Sequence, residues 1–339
     1  MPPETYPTAD VSVIVPAYRA ARTIVRALSS VASQSVKPRE VIVVDDGSDD
    51  GTFEAASSLM EAMSGVELKL IAQEKAGAGA ARNKALAEAK GEYVAFLDAD
   101  DEWTPEKIER SMAVIANSGD VLVAHDYRRI QADGSERIID CVRRFKSAVD
   151  PFVGLYRQGY IATSSVIVRR DAVRVAGNFD ENLATAQDFD LWLKILGKPG
   201  ATFSVFPEAL LCYHISPGSI STFTARRLGC TLRIAERHFP ALVGRKGRAL
   251  VSLGFRVCAV HFEAFSAYRA VGRPLAAIAV VLGLPWQLLR SFMNTPGTEQ
   301  SAPTWLKSFL WLWVILGCGA YVYRFAHLGR AFITMVKQL

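Results

Sequence analysis

A chain of 339 residues with 50% hydrophobic and 22% charged content can bury a sizeable core and still carry an appendage, which excludes a disordered protein. The net charge of +5 hides an asymmetry, because residues 1–222 hold 24 Lys and Arg against 31 Asp and Glu, whereas residues 223–339 hold 15 against 3. An acidic body thus carries a basic tail, and that tail is rich in Leu, Val, Trp and Phe without interleaved Lys/Arg runs, which suits an anionic membrane surface better than nucleic acid.

The five cysteines are scattered with no CxxC pair and read as ordinary reduced thiols of a cytosolic compartment. No basic and apolar leader opens the chain, so no signal peptide is expected, and residues 1–9 are expected to be disordered. VSVIVPAY (Val11 to Tyr18) is a near-continuous apolar run closed by a proline, the pattern of a strand buried on both faces. Ile24, Leu28 and Val31 then recur at helical spacing. VIVVDDGSDDGT (Val41 to Thr52) predicts a second buried strand ending in a polar turn, followed by a helix to about Met63. VELKLI predicts a third strand, AGAARNKALAEAK a helix, and EYVAFL a fourth strand. This alternation predicts a doubly wound, Rossmann-like α/β sheet, in which ligands bind beyond the carboxyl ends of the strands. Pro16 to Tyr18, Asp45 and Asp46, and Asp98 to Asp101 should therefore line one rim.

Beyond Asp120 the pattern is mixed. DVLVAHDYRRI and SERIIDCV predict strands about the turn Ala132-Asp133-Gly134, IATSSVIVRR predicts another strand, and Leu191, Trp192 and Ile195 share a helical face with Asp188 and Asp190 in its first turn. ATFSVFPEALLCYHISPGSIST follows as one or two strands and a loop.

The fourth strand runs into Asp98, Asp100, Asp101 and Glu102, four acids in five positions. Such crowding is repulsive unless a cation or solvent offsets it. Hard carboxylate oxygens at a strand end suit Mg²⁺ or Mn²⁺, which take their remaining ligands from water and substrate phosphates. A solvated acidic turn before the helix near Pro105 is the competing reading.

VSVIVPAY, VVDDGSDDGT, GAGAARNKALAEAKGEYVAFLDADDEWTPEKI and FDENLATAQDFDLWLKI, in this order and spacing, resemble family 2 glycosyltransferases of GT-A fold over residues 10–222. The resemblance implies a metal-dependent, inverting transfer of a sugar from a nucleoside diphosphate to an acceptor hydroxyl. By the same resemblance Asp46 reads the nucleotide base, Asp100 ligates the metal, Asp98 faces the ribose or metal, and Asp188 is the catalytic base. Asp101 and Glu102 then read as cap and first-turn acids.

The residues themselves are consistent with those roles. A carboxylate such as Asp46 can accept the imide N–H of uracil or thymine, favouring UDP or dTDP. Arg82 and Asn83, opening a helix after the Gly77 and Gly79 loop, suit diphosphate or ribose, and Pro16 and Tyr18 lie on the nucleotide-sugar rim. Arg82 also fits a surface salt bridge, and Asp188 also fits a helix cap. Two departures from the family stand out: Gln187 where Glu usually precedes the base, and His214 two positions early in the loop after Tyr213. No QxxRW follows Asp188, which argues against a processive enzyme.

In the basic apolar tail, residues 274–289 and 308–323 are each 16 uncharged residues, just short of a typical span. Both fit interfacial helices, the second also a short span; buried helices of a soluble domain are the alternative. The combined expectation is a peripheral or short-anchored enzyme of cell-envelope polysaccharide biosynthesis at the cytoplasmic membrane face, acting on a saccharide or lipid-linked acceptor. A non-catalytic nucleotide-sugar-binding scaffold is the alternative from another class, and an aspartate-based phosphatase is disfavoured because DADDEW lacks the required hydroxyl or valine.

Overall fold

The computed structural model describes residues 7–63, 65–131, 133–215 and 219–294. Eleven strands and eleven α-helices are assigned within them. The strands are β1 (Thr8–Ala17), β2 (Lys37–Asp45), β3 (Glu67–Ala72), β4 (Tyr93–Phe96), β5 (Glu102–Trp103), β6 (Leu122–His125), β7 (Tyr127–Ile130), β8 (Glu136–Ile139), β9 (Ile167–Arg169), β10 (Phe203–Phe206) and β11 (Leu211–His214). The helices are α1 (Ile24–Ala32), α2 (Thr52–Ser57), α3 (Ala78–Glu88), α4 (Lys107–Ser118), α5 (Cys141–Lys146), α6 (Pro151–Gln158), α7 (Arg170–Val175), α8 (Gln187–Leu196), α9 (Ser219–His238), α10 (Ala249–Ala270) and α11 (Pro274–Asn294).

Seven strands form one sheet in the order β10-β6-β9-β4-β1-β2-β3, and β5-β11-β7-β8 form a smaller one. The large sheet is parallel except at β9, which runs antiparallel to both β4 and β6. Both faces are covered, which explains the continuous apolar runs. Within β1, Ile14 belongs to one core cluster while Val11, Val13 and Val15 belong to the other, the two-residue alternation expected of a strand between two helical layers.

Three expectations need correction. β1 begins at Thr8, so residues 8 and 9 are paired with β2 and not disordered; residues 1–6 lie outside the described residues. Of IATSSVIVRR only Ile167–Arg169 is a strand, and Thr163–Ser165 form a 3-10 turn. The helix after the second strand ends at Ser57, not near Met63.

The expected boundary at 222 falls inside α9. Leu232 and Ile234 of α9 and Leu253, Val257 and Val260 of α10 join the same core as Phe96 and Trp192. Tyr156 of α6 donates to the Ala235 carbonyl at 2.7 Å, so α9 is part of the body. The 274–289 segment is helical within the longer α11; 308–323 lies outside the described residues. Two described helices, α10 and α11, are long and apolar enough to cross a membrane.

Candidate active site

β1 and β2 end in register, Ala17 opposite Asp45, and the Asp46 amide continues the ladder to the Ala17 carbonyl at 2.8 Å. The chain then turns at Gly47, where φ is +73° and an added Cβ would stand 3.0 Å from the Lys75 amide nitrogen, so glycine is required twice over. This close approach brings the loop before α3 against the β2 end. The nearly buried Asp46 fastens it, accepting from Gln73 Nε2 (2.7 Å), the Ala76 amide (2.7 Å) and the Gly77 amide (2.8 Å). A carboxylate offers about four lone-pair positions. Three being engaged within the protein, Asp46 is first a loop anchor. Pro16 lies inside the β1 ladder opposite Val44. Tyr18 exposes its ring at the rim, with Lys75 Nζ 4.1 Å from the ring centroid and 2.8 Å from the hydroxyl. A flat apolar face beside a cation suits a nucleobase joined to a diphosphate.

The acidic cluster lies beyond β4. Arg82, nearly buried in the first turns of α3, donates to Asp98 Oδ1 at 2.6 Å, and its guanidinium carbon lies 5.3 Å from the Phe179 ring centroid. The salt bridge considered for Arg82 is thus real but internal to the site. Asn83 does not join it: its amide donates to the Phe179 carbonyl (3.0 Å) and Glu181 Oε1 (2.7 Å) and accepts from the Phe179 amide (3.0 Å). It clasps the segment leading to α8, which leaves little for a diphosphate or ribose contact.

Burial first, then the nearby Asp98 charge, raises the Asp100 carboxyl above its usual range. Asp101 is buried and raised further, by burial, then Asp98 and Asp100. It accepts from Ser164 Oγ (2.6 Å) and the His214 amide (3.2 Å). Glu102 lies in β5, 3.2 Å from His214 Nε2 and 3.8 Å from Arg26 Nε. Neither acid caps α4, whose N-cap is Glu106. The expectation of a cap acid and a first-turn acid is therefore corrected: β5 pairs with β11 and draws both into the cluster.

Asp188 lies in the first turn of α8, partly buried, and is not its N-cap, which is Ala186. Its Oδ2 accepts from Thr163 Oγ1 at 2.5 Å and its Oδ1 from the Phe189 amide at 2.8 Å. Gln187 donates to the Leu183 carbonyl at 2.6 Å, a bond that an ionised glutamate cannot make. A Cβ on Gly79 would come within 3.0 Å of the same amide, so the first turns of α3 and α8 meet where a larger residue would not fit. Ala186 holds the left-handed conformation (φ +60°) immediately before them, a strain typical of functional turns.

The model of Glycosyl transferase family 2 matches residues 12–175. The amylovoran biosynthesis glycosyltransferase AmsB of Erwinia amylovora is 34% identical over 213 residues, 60% of this chain and 69% of AmsB. The chain belongs to glycosyl transferase family 2. Succinoglycan biosynthesis protein ExoO of Rhizobium meliloti is 32% identical over 65% of each chain. Among solved structures, S. aureus TarS in complex with UDP aligns with a TM-score of 0.60 at 20% identity, covering 84% of this chain and 83% of that one. The mannosyltransferase PcManGT of Pyrobaculum calidifontis, in complex with GDP-Man and Mn²⁺, aligns with a TM-score of 0.56 at 21% identity over 98% and 87%. These likenesses identify the mixed α/β sheet as GT-A-like.

In this family 2 chain the sequence reading missed Lys75, the buried role of Asp101, and the pair Thr163 and Ser164. The available signal was three consecutive hydroxyls inside an apolar stretch, Ile161 to Val168, a poor composition for a buried strand unless the hydroxyls have partners. Among the described residues no three His, Cys, Asp or Glu converge as a closed metal cage. Mg²⁺ and Mn²⁺ do not need one, since one or two carboxylates and substrate phosphates suffice. Asp98 and Asp100, crowded and only partly compensated by Arg82, fit such an open site.

Proposed function

We propose that this glycosyltransferase is inverting and non-processive, and that it moves a sugar from a nucleoside diphosphate, UDP or dTDP, to a hydroxyl of a lipid-linked or surface-polysaccharide precursor at the cytoplasmic membrane face. The observation that carries the reading is the single carboxylate of Asp188, oriented by Thr163 beside the acidic rim. In a single displacement the acceptor hydroxyl loses its proton as it attacks the anomeric carbon, and one positioned carboxylate is enough to take it. Tyr18 stacks the base, Lys75 and Arg82 face the phosphates, and Asp46 fixes the loop between them. Asp100, with Asp98, would hold Mg²⁺ or Mn²⁺, which when bound would offset negative charge on the diphosphate leaving group.

TarS with UDP and PcManGT with GDP-Man and Mn²⁺ support a nucleotide-linked donor on this fold. AmsB and ExoO, named for amylovoran and succinoglycan biosynthesis, support a polysaccharide precursor as acceptor. Gln187 has a structural use of its own, so it is no sign of a decayed site. Asp188→Asn should keep donor binding by calorimetry and lower transfer by about 10²–10⁴-fold. Wild-type transfer rates in that variant would remove Asp188 from the chemistry.

A further inference from the structure

Next to the α8 entry, α9 and α11 enclose a groove of about 460 Å³ whose lining includes Ala184, Arg226, Arg233, Glu236 and Arg290. Arg226 and Arg233 are seven residues apart and so share one face of α9. Arg233 and Arg290 are exposed, and neither forms an ion pair among the described residues; the Arg233 guanidinium meets only Cys230 Sγ, a weak acceptor, at 3.4 Å. Glu236 is the one acid in the lining, and it accepts from Ser291 Oγ at 2.8 Å. Arg233 and Arg290 against the one carboxylate of Glu236 give the lining a surplus of positive charge without counting Arg226.

The groove's apolar border is equally specific. α11 buries Ala277, Leu284 and Ser291, spaced seven apart, and exposes Leu275, Ile278, Leu282, Trp286 and Met293 on other faces. By sequence the chain beyond Asn294 is also net basic, with Lys307, Arg324, Arg330 and Lys337 against Glu299. The lining includes Ala184, which precedes Asp188 by four residues in the segment that leads into α8. α9 is in turn locked to α8, through Arg237 (3.0 Å) and His238 (2.8 Å) on Asp190.

We propose that this groove is the acceptor's anchor: it binds the phosphate or diphosphate that joins the acceptor saccharide to a hydrocarbon chain, and the chain lies along the exposed stripe of α11. Guanidinium groups recognise phosphate oxygens by charge-assisted hydrogen bonds, and the stripe offers the apolar surface of an interfacial helix. Anchoring there holds the lipid end away from the base and leaves the saccharide end for Asp188. The inference rests on the lipid-linked reading of the acceptor given above and adds the site and the group recognised.

The test uses the full chain and phosphatidylcholine vesicles doped either with a polyprenyl diphosphate or with phosphatidylglycerol at matched charge. Sedimentation should show tighter binding to the polyprenyl diphosphate vesicles. The double variant Arg233→Ala/Arg290→Ala should lose about fivefold per arginine on them, while a UDP-sugar with Mn²⁺ raises its melting temperature as in wild type. Equal binding to both vesicle types, or unchanged binding by the double variant, would overturn the groove assignment. Absence of any donor-induced shift in the wild type would instead strike at the transferase reading and leave the vesicle result to judge the groove.

Discussion

Thr163 donates to Asp188 at 2.5 Å and its neighbour Ser164 to Asp101 at 2.6 Å, so two adjacent hydroxyls of one 3-10 turn orient both halves of the site. Ser164 also accepts the Asp98 amide at 3.1 Å, and its carbonyl accepts Trp103 Nε1 at 2.7 Å. Thr163→Val keeps the shape and removes one hydrogen bond to a charged group, worth about 1.5–3 kcal/mol. Transfer should fall by about 10–100-fold with little change in donor KM, and Thr163→Ser should restore it; an unaffected kcat in Thr163→Val would contradict the positioning role. Asp100 and Asp101 give a pH signature. Their carboxyls are raised in the folded protein, so the stability they contribute is fully present below the ordinary carboxyl range and is lost as pH rises through the raised values. A divalent cation needs Asp100 ionised, so the rise in melting temperature caused by Mn²⁺ should grow as pH rises through the raised Asp100 value; a pH-independent rise would place the ion elsewhere. Acidic residues after a strand are visible in sequence because charge there is costly. Hydroxyls are not, since Thr and Ser occur everywhere and only their partners, 25 and 63 residues away, give them meaning.

At the scale of elements, α8 carries Asp188, the proposed base, and Asp190 two residues on secures the helix. Asp190 is fully buried and accepts from Arg237 and His238 of α9, with Lys194 one turn on at 2.8 Å. Hydrogen bonds from His238 and Lys194 and their charges outweigh the cost of burial and hold its carboxyl down at about 2. That stability is present above the ordinary carboxyl value and is lost as pH falls toward about 2. Asp190→Ala should cost about 2–3 kcal/mol, less than a fully buried pair because Arg237 and Lys194 keep contact with water. Denaturant midpoints measure this, and a loss well under 1 kcal/mol would mean that packing alone holds α8. The strands β1 to β4 were legible because burial on both faces makes them continuously apolar. β5 was not, since a two-residue strand pairing with a partner more than 100 residues on leaves no local pattern, although that partner, β11, lies in the stretch expected to hold one or two strands. The same holds for the reversed β9, whose direction follows from what precedes it in space, not from its own composition.

For the whole molecule, the charge asymmetry read from composition becomes geometric. The acidic rim lies at the β1, β2 and β4 ends, and the basic residues gather on α9 to α11, which share the body's core and do not form a separate tail. Composition showed the surplus of charge but not where the chain folds it, because α9 and α10 contribute apolar residues to a core started two hundred residues earlier. On the proposed reading, one face binds donor and metal, and a neighbouring face meets lipid phosphate. The most direct test of this arrangement is calorimetric titration of UDP- and dTDP-sugars into the full chain with and without Mn²⁺, repeated on Asp100→Ala and Asp188→Asn. Donor binding that requires Mn²⁺, is lost in Asp100→Ala and persists in Asp188→Asn is the predicted result; donor binding indifferent both to Mn²⁺ and to Asp100→Ala would contradict it.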